Sequence, residues 1–195
     1  MNLEAAKREL RRQAGARRRA ISAAAADAVA ERVCEHLLAE RAIIDARRVA
    51  LYAALPDEVP TRPLFEALAR AGTPRLLPRI APGRHLVFAL AERWEDLHPG
   101  GYGVLEPPEE APVFEPGDGD VVIVPGVAFD RAGRRLGRGK GYYDRAFPLS
   151  DRPQPWLFGM AFEVQIVESV PTDSHDRAVD AIVTERAFQW TKGGR

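Results

Sequence analysis

The chain has 195 residues, 46% of them hydrophobic, which is enough for one sizeable core and too little for two, so a single domain is expected. Lysine plus arginine equal aspartate plus glutamate at 28 each, so no global field draws the molecule to nucleic acid or an anionic membrane, and any anion must be bound locally. The lone cysteine, Cys34, excludes an internal disulfide and a multi-cysteine zinc site and reads as a buried structural thiol.

The first residues, MNLEAAKREL, carry charges where a signal peptide needs its apolar core, and no later run approaches the ~18 apolar residues of a membrane span. A cytoplasmic location is expected. Residues 1–20 favour a basic helix with a thin apolar stripe. Ser22 is a suitable N-cap for a second helix to about Glu40, in which Val29, Val33 and Leu37 recur every fourth residue. The period then changes. Arg48 to Ala53 reads as a buried strand ended by Leu55-Pro56-Asp57, and Thr61 can cap the following helix, with Pro63 in its first turn and Gly72 at its stop. Arg75 to Pro78 and His85 to Leu90 read as further strands. Residues 99–119 are too dense in proline and glycine for regular structure and are expected to form a surface loop.

Asp120 to Gly126 is the clearest strand, apolar throughout and stopped by Pro-Gly, as in the middle of a parallel sheet. Its carboxyl end is the place for a ligand. Leu157 to Phe162 and Val179 to Thr184 complete the strands, with a helical turn expected over Glu163 to Val167. Strands alternating with helices predict an α/β fold: one domain, a mainly parallel sheet with helices on both faces, a Rossmann-like three-layer arrangement.

Glycines at 137, 139 and 141 alternate with Arg138 and Lys140, so the backbone can approach a ligand closely while two cations project from it. A helix starting near Gly141 would add its amide groups to the same field. The spacing is not a Walker A loop, because Gly141 follows Lys140 and Arg134 stands at the first glycine position. Nor is it the dinucleotide fingerprint, since Tyr142 replaces the third glycine. The competing reading is a flexible hairpin with solvated charges; the interleaved cations followed by Tyr-Tyr-Asp favour the phosphate cradle.

RLGRGKGYYD, Arg135 to Asp144, resembles the signature of the 5-formyltetrahydrofolate cyclo-ligase family, the 5,10-methenyltetrahydrofolate synthetases. Other family-like segments follow the same order: Lys7 and Arg11 in the basic helix, Leu55-Pro56-Asp57-Glu58, Pro125 to Asp130, and His175-Asp176 before Val179-Asp180.

The resemblance implies ATP- and Mg2+-dependent cyclisation of 5-formyltetrahydrofolate, polyglutamylated forms included, to 5,10-methenyltetrahydrofolate, with release of ADP and phosphate. It implies ATP contacts from Lys7, Arg11 and the loop Arg134, Arg135, Leu136, Gly137, Arg138, Gly139, Lys140, Gly141 and Tyr142. Arg138 to Tyr142 would also reach the folate, with Arg138 and Lys140 catalytic. Ala53, Glu58 and Tyr102 would bind folate, and Asp144 and Asp176 would serve the metal. His175 reads as polar surface. No nucleic-acid or membrane partner is expected, and the protein is expected to act as a monomer. The rival readings are an RNA-binding module, suggested by Arg17, Arg18 and Arg19, and a small-molecule kinase using the same loop.

Overall fold

The computed structural model describes residues 2–150, 153–173 and 176–191. In chain order these form α1 (Leu3–Arg19), α2 (Ala23–Leu38), α3 (Arg41–Ile44), β1 (Arg48–Ala50), α4 (Arg62–Arg70), β2 (Arg75–Ala81) and β3 (His85–Leu90). Short strands β4 (His98–Pro99), β5 (Leu105–Glu106) and β6 (Val113–Phe114) come next, then β7 (Asp120–Val124), β8 (Ala128–Asp130) and β9 (Arg135–Leu136). The chain ends with α5 (Tyr142–Ala146), β10 (Trp156–Met160), β11 (Ile166–Val167), β12 (Ala181–Val183) and β13 (Phe188–Trp190).

One sheet runs in the order β13-β12-β10-β7-β1-β2-β3-β6. Its middle, from β12 to β2, is parallel, and the outer strands β13, β3 and β6 add antiparallel edges. β7 lies inside the parallel part with β10 and β1 as neighbours. Its alternate side chains explain why it is apolar throughout: Val121 and Ile123 enter one core, Val122 and Val124 the other. The first core packs under α2 and α4 through Val33, Leu37, Leu64 and Phe65. The second contains Phe129 and Phe147, with Tyr143 and Ala146 of α5 packed on it. The α/β expectation holds.

Several local expectations need correction. Residues 99–119 are not an irregular loop, since β4 pairs with β5 and β6 extends the main sheet; Pro99 is tolerated at the end of a two-residue strand. The turn over Glu163–Gln165 is followed by β11, which pairs with β8 and, through it, with β9 in a second three-stranded sheet. Strands of two or three residues leave no readable period. Thr61 precedes α4 without capping it, because its hydroxyl donates to Tyr52 O at 2.5 Å. Cys34 is buried as expected, and burial pushes its thiol pKa up. Among the described residues no helix is long and apolar enough to cross a membrane.

Candidate active site

The carboxyl end of β7 delivers the chain to Pro125 and Gly126, then into β8, a turn, β9 and the glycine-rich loop. Asp130 fixes that turn. It is fully buried, and its Oδ1 accepts from the amides of Ala132 (3.0 Å) and Arg134 (3.2 Å). Its Oδ2 accepts from Arg134 Nε (2.6 Å) and from the amide of Val170 (2.8 Å). Arg134 is thereby committed to Asp130. Of the predicted site residues, it alone does not line the cavity described next.

The cavity, about 400 Å³, lies between the loop, α1 and the ends of β1, β2 and β7. Volume in this range suits a small-molecule ligand. Lys7 and Arg11 of α1 reach it from one side, one helical turn apart. Ala53 and Glu58 border it after β1, and Tyr102 from the β4–β5 turn. Arg135 through Tyr142, then Asp144 and Asp176, complete the predicted set. Positive φ at Gly139 (89°) and Gly141 (64°) bends the loop, and α5 starts at Tyr142 as expected. With five residues, α5 contributes only a weak dipole.

Nearly every charge in the cavity is matched. Lys7, 6% exposed, donates to Asp176 Oδ2 (2.7 Å) and Asp173 Oδ2 (3.1 Å). Burial opposes its charge, but the two carboxylates outweigh that and hold its pKa above the ordinary value. Arg11 Nε donates to Gly137 O at 3.0 Å, pinning the loop to α1. Arg135 pairs with Asp144 and donates to Pro125 O.

Arg138 does not project freely, as the sequence suggested: its guanidinium donates to Glu58 Oε1 (3.2 and 3.1 Å) and to Asp57 Oδ1 (2.6 Å). Arg18, 2% exposed, pairs with Asp57 on its other side, so the arginine cluster at 17–19 is not a uniformly exposed surface for RNA. Burial raises the Asp57 carboxyl, and Arg138 and Arg18 overcome it, so the pKa lies below the ordinary one. Lys140 is exposed and lies 5.9 Å over the Tyr102 ring. Tyr102 sits at the rim, 60% exposed, and its hydroxyl accepts from Arg84 Nη2 at 2.9 Å.

Asp144 and Asp176 border the same cavity, each already beside a cation. Among the described residues no group of three or more His, Cys, Asp or Glu side chains could hold a metal alone. Two carboxylates fit a magnesium ion that takes its remaining oxygens from substrate phosphates and water, and do not fit a closed protein cage. His175 lies outside the described residues.

Sequence reasoning missed three lining residues with polar side chains: Tyr52, Glu106 and Tyr143. Tyr143 stands within the signature itself; Tyr52 and Glu106 carried no pattern that marked them. Burial raises the pKa of both tyrosines, keeping them as hydroxyl donors. Pro78, Ile80, Leu86 and Val104 add apolar lining to the cavity.

A family model described as the 5-formyltetrahydrofolate cyclo-ligase family matches residues 3–185. The mouse 5-formyltetrahydrofolate cyclo-ligase is 29% identical, the match covering 95% of this chain and 96% of the mouse protein. The Saccharomyces cerevisiae 5-formyltetrahydrofolate cyclo-ligase is 34% identical over 92% of this chain and 95% of its own length. Among solved structures, the Aquifex aeolicus 5,10-methenyltetrahydrofolate synthetase superimposes with a TM-score of 0.83 at 33% identity, covering 97% of this chain and 94% of its own. The whole signature run lines the cavity, and the matches span nearly the whole chain. On that ground the chain is an enzyme and belongs to the 5-formyltetrahydrofolate cyclo-ligase family.

Proposed function

We propose that the enzyme closes 5-formyltetrahydrofolate to 5,10-methenyltetrahydrofolate in an ATP- and Mg2+-dependent reaction that releases ADP and phosphate. The observation that carries this reading is one cavity bordered by a cationic glycine-rich loop and by an apolar wall, so that a phosphate chain and a flat heterocycle can meet.

The formyl group on N5 is an amide, and its oxygen is a poor leaving group when N10 attacks the carbon. Transfer of the γ-phosphoryl group to that oxygen, with ADP leaving, converts it to a phosphate ester. N10 then bonds to the formyl carbon and gives up its proton, the C–O bond breaks with loss of phosphate, and the methenyl bridge remains. Phosphoryl transfer depends mainly on alignment and on cations facing the spread charge.

Lys7, Arg11 and the backbone from Arg135 to Tyr142 hold the triphosphate in this scheme. Arg138 and Lys140 face the transferring group. Arg134 serves from outside, by fixing the loop's start on Asp130. Ala53, Glu58 and Tyr102, with Arg138 to Tyr142, border the folate. Asp144 and Asp176 hold Mg2+, which neutralises phosphate charge. All these side chains come from one chain, so a monomer suffices.

The test is an ultraviolet spectrum of protein, magnesium-ATP and 5-formyltetrahydrofolate, in which the conjugated methenyl product absorbs apart from the substrate. Growth of that band with stoichiometric phosphate release is expected. A flat trace at high enzyme concentration ends the proposal, and a stable phosphorylated product would indicate a kinase instead.

A further inference from the structure

Glu106 ends β5 and is 7% exposed, yet it borders the cavity. Its Oε1 accepts only two long bonds, from the amides of Gly101 (3.3 Å) and Ile80 (3.4 Å). Among the described residues no cation pairs with it and nothing donates to its Oε2. The carboxylates of the cavity that the sequence did predict are matched: Glu58 by Arg138 and the amide of Leu55, Asp144 by Arg135, Asp176 by Lys7. A buried carboxylate with no cation and weak donors is costly unless a ligand completes it.

The chain also makes room for this carboxylate. A Cβ on Gly100 would stand 2.2 Å from Glu106 Cδ and 2.6 Å from Oε2, so the bare backbone is what lets the group sit there. Beside it lie Ile80 and Val104, part of the apolar wall. A flat heterocycle lying on that wall would turn its edge to the carboxylate.

We propose that Glu106 is a specificity-determining residue that reads the pyrimidine edge of the pterin, accepting from N3–H and the 2-amino group. The assignment rests on 5-formyltetrahydrofolate being the substrate. Chemistry separates the two heterocycles of the reaction. The pterin edge presents two adjacent N–H donors, which a carboxylate matches in a forked pair. Adenine sets its amino group beside an acceptor nitrogen, which a carboxylate repels.

The experiment is equilibrium binding of 5-formyltetrahydrofolate and its 2-desamino analogue, by calorimetry, to the wild-type protein and to Glu106→Gln. The analogue is expected to bind the wild type about 10- to 100-fold more weakly, as when a site built for a donor meets a ligand without one. Glu106→Gln should lose a similar factor for the parent folate and little more for the analogue. Its ATP affinity and melting temperature should be unchanged, because the amide oxygen still accepts from Gly101 and Ile80. A purely structural role predicts that glutamine restores everything. Equal wild-type affinity for the two folates overturns the assignment, as does wild-type folate binding by a folded Glu106→Gln. Should the variant misfold, the comparison on the wild type decides. Failure of the wild type to bind either folate removes the substrate reading itself, and this inference with it.

Discussion

Arg138 Nη2 lies 3.1 Å from Glu58 Oε1, so the central cation of the glycine-rich loop and the carboxylate of the turn after β1 are joined across the cavity. Arg138→Ala should lower turnover by about three powers of ten, the lower end of what an arginine facing a transferring phosphoryl group contributes. Folding should suffer by less than about 1 kcal/mol, because the Arg138 side chain is 45% exposed and Arg18 still neutralises Asp57. Product absorbance measures the first effect and a thermal melt the second. Normal turnover by the folded variant would remove Arg138 from the chemistry.

Lys7 supplies a second test. Lys7→Ala takes the ammonium from Asp173 and Asp176 and from the phosphate side of the cavity. The KM for ATP should rise about 10-fold or more, the scale of one charge-assisted bond. The KM for folate should hold. Initial rates at varied ATP and varied folate separate these outcomes, and a rise confined to folate would contradict the placement of Lys7.

Asp130 is a stability prediction instead. Asp130→Ala strands the buried amide of Val170 and loosens the turn before β9. The loss should be about 3 kcal/mol, read from denaturant unfolding. A change under about 1 kcal/mol would mean that these bonds are not kept in solution.

Asp57 sets an acid limit. Its folded pKa lies below the ordinary 3.8, because Arg138 and Arg18 outweigh burial. The folded state therefore holds the proton less tightly than the unfolded one. Its stabilising contribution is complete above 3.8 and is lost as pH falls through the lower, folded value. Stability measured below about pH 4 should fall less steeply in Asp57→Asn than in the wild type, and the two slopes should agree between roughly pH 5 and 7. Parallel acid limbs would show that Asp57 is not held as the geometry indicates.

Much of this was legible in the residues. The apolar run from Val121 to Val124 announced a strand covered on both faces, and the spacing of glycine and cation from Gly137 to Gly141 announced the loop. What escaped were features set by distant partners. β8, β9 and β11 are too short to show a period and exist because they pair with one another. Arg134 looked like its neighbours, but Asp130, buried four residues earlier, turns it aside. Glu106 was hidden in a stretch whose prolines and glycines suggested solvent; only the bends they make bring it to the cavity.

The contact between Lys7 and Asp176 spans 169 residues, nearly the whole chain. A ribosome making this protein therefore releases the first helix long before the segment that receives its ammonium has been synthesised. Until then that helix has only part of its docking surface, and the cavity lacks one wall. Binding competence should emerge late, when these two segments, far apart in sequence, come together.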